Sequence, residues 1–137
     1  MKGSAISTFF PHSAETEGVV VRVSASFLAD QSEPKRNRWF WSYHIRIENS
    51  GVQEVQLMSR RWVITDGRGA RHRVEGEGVV GVQPVIAPGH AYDYVSGCPL
   101  DTPSGAMEGT YRMLAADGRG FDARIPRFPL VGPAVAH

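Results

Sequence analysis

The chain has 137 residues, the length of one domain, enough to bury roughly two-thirds of its unfolded surface, so it needs neither a metal nor a disulfide to fold. Fifteen Lys and Arg face 14 Asp and Glu, a net charge of +1 that argues against general nucleic-acid binding. The one cysteine, Cys98, rules out an internal disulfide and fits a reducing compartment. No run approaches the ~20 apolar residues of a membrane span, and Met1 to Pro11 lacks an apolar core of signal-peptide length, so a soluble cytoplasmic protein without membrane contact is expected.

Val19, Val21, Val23, Ala25 and Phe27 alternate with Val20, Arg22, Ser24 and Ser26, the period of a strand with one buried face. Gln31 to Arg38 is a polar turn around Pro34. Trp39, Trp41, Tyr43, Ile45 and Ile47 then alternate with Phe40, Ser42, His44, Arg46 and Glu48, which predicts a strand with an aromatic core face. Asn49-Ser50-Gly51 is a turn signal. The next strand changes phase. Val55 and Leu57 share one parity while Met58, Trp62 and Ile64 take the other, so a bulge near Met58 or Ser59 is expected. Asp66-Gly67-Arg68-Gly69 closes a hairpin onto Ala70 to Val74, and Asp117-Gly118-Arg119-Gly120 joins Tyr111–Ala115 to Phe121–Ile125 in the same way. Their flanks do not align, so one turn solution is used twice. Between the hairpins come Val85-Ile86, then Ala91 to Val95, then a predicted loop from Ser96 to Gly105. Pro126, Pro129 and Pro133 predict an extended, frayed tail. No amphipathic helix is found. Frequent short strands with turn signals predict an all-β sandwich or small barrel. One domain is read over residues 1–137, with a core of about 9–129 between a flexible N-terminal segment and the Pro-rich tail.

Gly76-Glu77-Gly78-Val79-Val80-Gly81 spells the G-x-G-x-x-G of a dinucleotide-binding turn. That chemistry needs a helix after the glycines, whose N-terminus holds the pyrophosphate. Here Val82-Gln83-Pro84-Val85-Ile86-Ala87-Pro88 follows, and two prolines with β-branched neighbours oppose a helix. Two uses remain open. Backbone amides at Gly76, Gly78 and Gly81 could form an anion-binding nest with Arg60, Arg61, Arg71 and Arg73 as charge partners; otherwise the glycines only set turn geometry. The same segment is apolar at Val79, Val80, Val82, Val85 and Ile86. Either it folds over an open end of the sandwich, or Val79, Val80 and Val82 face a partner.

The histidines are His12, His44, His72, His90 and His137, and none are paired at metal-ligand spacing. His44 and His72 are the two that neighbouring strands could bring together. No metal site, no cofactor and no catalytic residue is assigned. Cys98 reads as a small buried packing residue, and Asp101 as the organiser of its loop through an Asx turn.

Several ordered blocks carry a resemblance. Tyr43-His44-Ile45-Arg46-Ile47-Glu48-Asn49, Gln56 to Asp66, Gly76 to Pro84 with Pro88-Gly89, and Tyr94 to Pro103 with Met107-Glu108-Gly109 resemble the ApaG family across about Phe9 to Pro129. The resemblance implies a fibronectin type III-like (immunoglobulin-like) β-sandwich of two antiparallel sheets. It also implies a link to cobalt tolerance and magnesium efflux and, by operon context, to diadenosine tetraphosphate breakdown. Eukaryotic relatives sit in an F-box protein and a polymerase-associated protein, which implies protein binding; the family brings no agreed catalytic residues.

The function expected is therefore a non-catalytic adaptor with a protein partner of unknown identity. Strand addition at a sheet edge is its physical basis, and Arg71 to Ile86 the segment expected to carry it. The alternative is an anion or nucleotide-phosphate binder, even a hydrolase, built on the same glycines and arginines. An exposed strand edge also offers a homodimer contact, although Arg and Lys on an edge oppose one.

Overall fold

The computed structural model describes residues 9–133. Nine strands appear in chain order: β1 (His12–Thr16), β2 (Val19–Phe27), β3 (Trp39–Asn49), β4 (Val55–Asp66), β5 (Arg71–Glu77), β6 (Val85–Ile86), β7 (Ala91–Leu100), β8 (Ser104–Ala115) and β9 (Gly120–Val131). From Pro11 onward, helix among the described residues is limited to two 3₁₀ turns, Ala29–Gln31 at the start of the predicted polar turn and Pro34–Arg36 within it. None of these helices is long and apolar enough to cross a membrane.

The strands form two antiparallel sheets, ordered β1-β2-β3-β7 and β5-β4-β8-β9, with β6 also pairing β4. This is the two-sheet sandwich that the resemblance implied. Alternation puts Val19, Val21 and Val23 of β2 and Trp41, Tyr43, Ile45 and Ile47 of β3 on the inner face of the first sheet. Leu57, Trp62, Tyr111, Met113, Ala123, Ile125, Phe128 and Leu130 of the second sheet meet them. Trp62 joins the layers: its ring centroid lies 5.4 Å from Tyr43, 6.1 Å from Phe128 and 6.4 Å from Tyr111, each edge to face.

The phase change in β4 is a bulge. Leu57 pairs Met113 and Ser59 pairs Arg112, which leaves Met58 as the extra residue. Beyond it the even residues Trp62, Ile64 and Asp66 face inward. Both Asp-Gly-Arg-Gly turns close as expected. Asp66 Oδ1 accepts from the amides of Arg68 (2.9 Å) and Ala70 (3.0 Å), and Asp117 Oδ1 from Arg119 (2.9 Å).

Three sequence expectations need correction. Strand β1 lies ahead of the first predicted strand. It is joined to β2 by the two-residue turn Glu17-Gly18, whose φ values are 49° and 84°. The segment from Ser96 is no loop: β7 runs to Leu100 and β8 starts at Ser104. Its proline is tolerated because β7 is an edge. The Asn49 amide donates to His90 O (2.9 Å), and alternation from there turns the odd β7 residues, Pro99 included, toward the unpaired side. Pro126 and Pro129 do not fray the chain, since both lie within β9. Between Met107/Phe128 and Gly109/Ile125 the pairing slips by one residue, and the bulge at Pro126-Arg127 lets Ile125 and Phe128 both point inward. Val131 O then accepts from Trp41 Nε1 at 2.9 Å. Residues 1–8, the expected flexible segment, and 134–137 lie outside the described residues.

Tyr94 of β7 and Tyr111 of β8 share a hydroxyl–hydroxyl hydrogen bond across the two layers, with Tyr111 fully buried. Burial pushes both phenols above their ordinary range, so both stay neutral and one donates to the other. Tyr94→Phe should cost about 1–3 kcal/mol by stranding the Tyr111 hydroxyl. Tyr94→Phe with Tyr111→Phe should cost less than the two single losses summed, a coupling that a double-mutant cycle by chemical denaturation would read.

Candidate functional site

The glycine-rich segment is an excursion from one sheet edge. β5 pairs Ser59 to Thr65 of β4, and β6 pairs Val55 and Gln56 on the same side. The chain therefore leaves that edge after Glu77 and rejoins it at Val85. The bulge fixes both ends. Met58 O accepts from the Gly78 amide (2.9 Å) and from Gln83 Nε2 (2.8 Å), while the Leu57 amide donates to Pro84 O (3.0 Å). Between them Val79 and Val82 exchange both main-chain hydrogen bonds, at 2.8 and 3.0 Å, around Val80 and Gly81. With φ of 47° at Val80 and 78° at Gly81, the tip is a two-residue hairpin turn of the type that favours Asn-Gly. Gly81 opens into the strand β6 region rather than a helix, so no helix dipole follows the motif.

The four arginines divide between two faces. Arg60 has the inward parity of Trp62. Its guanidinium lies over Gly76, where an added Cβ would fall 2.8 Å from Nη2, and its Nη1 donates to Glu77 O and Gly78 O at 3.0 Å each. Arg60 thus braces the segment through its carbonyls. Arg61, Arg71 and Arg73 share the outer face, where Arg61 pairs Glu75 at 3.0 Å. A hollow of about 370 Å³ on that side is lined by Arg61 and Arg112, but also by Glu75, Glu77 and Asp122. Of the nest amides, Gly78 is committed to Met58 O, and Gly76 faces Arg60 in the β4–β5 ladder.

The apolar residues also divide. Val79 enters the core at 1% exposure, whereas Val80 (63%), Val82 (46%) and Val85 (53%) stand in solvent. Val79 and Ile86 (2%) thus pack over the sandwich as expected of a covering segment, which removes Val79 from the candidate partner surface and leaves Val80, Val82 and Val85 exposed.

Sequence reasoning missed two constellations. One is a groove of about 640 Å³ between the end of β3–β7 and β4–β5, floored by Trp39, Ile64 and Leu100 and walled by Arg36, Arg38 and His72. The other is a charge network on the outer face of the first sheet. Asp93 accepts from Arg46 Nη1 (2.8 Å) and bonds His44 Nε2 (2.8 Å), and Glu48 accepts from Arg46 Nε (2.9 Å) and Arg22 Nε (3.0 Å). Its sequence signal was the alternate polar parity of the strands; the pairing register that joins them was not legible. His44 and His72 lie in different sheets, so they do not approach each other as the sequence allowed. Among the described residues no three His, Cys, Asp or Glu side chains gather to hold a metal ion. Cys98 is buried, and burial pushes its thiol up to about 11, which fits packing rather than nucleophilic chemistry. Asp101 pairs Arg68 at 2.7 Å. The loop is held instead by Thr102, whose Oγ1 accepts from the Gly67 amide and donates to Ser104 O, a correction to the Asx-turn expectation.

A two-sheet antiparallel sandwich with an apolar turn projecting from one edge defines an all-β sandwich domain, an architecture that by itself assigns no activity. The ApaG domain model matches residues 29–115, and the chain belongs to that family. The ApaG protein of Methylobacterium sp. (strain 4-46) is 52% identical over 124 residues, 90% of this chain and 95% of that one. The ApaG protein of Rhodospirillum centenum is 49% identical over 122 residues, 89% of this chain and 94% of that one. Among solved structures, the putative ApaA protein from Bordetella pertussis superposes with a TM-score of 0.82 at 41% identity, covering 85% of this chain and 95% of that one.

Two glycines of the motif separate by mechanism. An added Cβ at Gly78 would fall 2.2 Å from Val82 O, whereas at Gly81 it would meet open space. Gly81→Ala should cost about 1–2 kcal/mol, the left-handed backbone alone. Gly78→Ala should cost clearly more, because the turn must also move; urea unfolding of the two variants compares them directly.

Asp66 gives a pH test. Burial raises its pKa, but hydrogen bonds from Ala70, Arg68 and His72 and the Arg68 charge outweigh burial and leave the carboxyl below its ordinary value. Between the folded and ordinary values the unfolded chain binds the extra proton, so stability is present above an ordinary carboxylate pKa of about 4 and is lost as pH falls through the folded one. Asp66→Asn should flatten this acid limb in unfolding measurements between neutral pH and pH ~2.

Proposed function

We propose that this ApaG-family domain is a non-catalytic binding module that takes a protein partner on the turn tip of its glycine-rich segment. One observation carries the reading: the tip residue is a valine at φ 47° and 63% exposed. A β-branched residue in left-handed backbone costs about 1–2 kcal/mol. Stability alone would favour Asn or Gly at this turn position. Exposing an isopropyl group at that cost is consistent with a contact made elsewhere, and Val82 and Val85 extend the apolar surface beside it. A role in divalent-cation handling, which the resemblance implied, would then run through the partner.

The anion-binding alternative rests on Arg61, Arg71 and Arg73 sharing one face, but Glu75 and Glu77 follow them on the same face of β5 and weaken the field. A titration with pyrophosphate followed by NMR tests it; silent amides at Gly76 to Gly81 at millimolar ligand dismiss it.

The module reading is tested with Val80→Asn, which keeps the turn and removes the apolar tip. The variant should melt at the wild-type temperature or a few degrees above it. A partner captured from native cells by the wild-type protein should be lost. Capture at wild-type level by Val80→Asn would overturn the reading.

A further inference from the structure

One edge of the second sheet is β5, with the sequence Arg71-His72-Arg73-Val74-Glu75-Gly76-Glu77. Every residue but Gly76 is exposed. A charged edge ordinarily repels strand addition. Here the order of the charges matters: basic residues precede Val74 and acidic residues follow it, at mirrored distances. We infer that this edge pairs with the same edge of a second copy of the chain, antiparallel about a two-fold axis at Val74. Arg73 then stands opposite Glu75 of the second copy, and Arg71 opposite its Glu77, each pair occurring twice.

Three independent features agree with that register. The first is main-chain polarity. At one end of the β4–β5 ladder the Asp66 amide donates to Ala70 O (2.9 Å), and at the other the Gly78 amide donates to Met58 O (2.9 Å). Alternation between them turns the main-chain groups of His72, Val74 and Gly76 toward β4 and those of Arg71, Arg73, Glu75 and Glu77 toward solvent. The proposed pairing joins odd residues to odd residues, so the outward groups meet. Glu77 O already accepts from Arg60, but a carbonyl oxygen has a second lone pair.

The second feature is side-chain face. The odd side chains, with all the charge, lie on the outer face and meet one another. The even ones lie on the inner face. There Val74, itself 40% exposed, meets its own counterpart, and His72, turned toward Asp66 (3.4 Å), lies opposite Gly76 with the Arg60 guanidinium over it. The third is the charge inventory. Arg71, Arg73 and Glu77 have no ion-pair partner among the described residues, while Glu75 pairs only the exposed Arg61. An isologous contact of this kind is the commonest route to a dimer. Two strands of seven residues bury less than the about 1,200 Å² of a stable interface, so the dimer is weak and concentration-dependent. This contact is separate from the turn tip, and its test does not depend on that reading.

Sedimentation of the intact protein over a concentration series reads the dimer. Arg73→Glu and Glu75→Arg each place like charges opposite one another twice, and each alone should raise the dissociation constant about tenfold or more. Mixed one to one, they should recover a dimer with one chain of each, because every facing pair is again opposite in sign. Arg71→Glu with Glu77→Arg repeats the test at the outer positions, and unchanged melting confirms each fold. As a direct probe of register, Val74→Cys should form an intermolecular disulfide on oxidation, since directly opposed non-hydrogen-bonded positions bring Cα atoms to ~4.5 Å; Cys98 is buried and does not compete. His72→Cys should not. Wild-type protein that stays monomeric at millimolar concentration, single variants that dimerise as the wild type does, or a mixture that stays monomeric would overturn the inference.

Discussion

The register shift at Met58 is the constraint on which the other features depend. One extra residue in β4 sends Leu57 and Trp62 to the same side despite opposite parity, and so supplies the aromatic that joins the two layers. Without it, either half of the strand would turn its apolar set to solvent. The same bulge frees a carbonyl that accepts both the Gly78 amide and Gln83 Nε2, which ties down the two ends of the glycine-rich excursion. It also sets Arg60 inward and Arg61 outward. Core packing, loop anchorage and the sorting of charge on β5 thus follow from a single unpaired residue.

The glycine-rich string has the spelling of a phosphate turn and a different mechanical role. In a dinucleotide site the glycines let a helix N-terminus approach pyrophosphate. In this chain each glycine answers a local demand. Gly76 admits a guanidinium, Gly78 clears the Val82 carbonyl, and Gly81 completes a left-handed pair. The arginine beneath the segment points at carbonyls rather than leaving amides for an anion. The tip left outside is apolar and strained, a combination that stability does not favour.

Much of the architecture was legible because local rules act alone on it. Alternation in β2 and β3, the phase change in β4 and the two aspartate-closed turns need no knowledge of neighbours. The places where legibility failed share one cause. Ser96 to Leu100 and Pro126 to Val131 carry residues that strands disfavour, and both are strands because their prolines occupy an edge or a bulge. Whether a proline's missing amide matters depends on which side its neighbour lies, and the chain order does not state that. The same holds for the site. The residues of the glycine-rich segment were legible, but Val79 and Val80 could not be told apart. A turn that buries one and exposes the next is fixed by its attachment to Met58.

The sequence by itself determined an all-β chain, the parity of its core faces, its main turns and the absence of a helix after Gly81, because these follow from covalent periodicity and the φ preferences of glycine and proline. Tertiary structure alone decided that His44 meets Asp93 rather than His72, that Arg60 faces away from Arg61, Arg71 and Arg73, and that β5 is left with an open edge. Each of these depends on which strands lie side by side and in what register, and pairing between distant segments is a property of the assembled sheets that no local window contains.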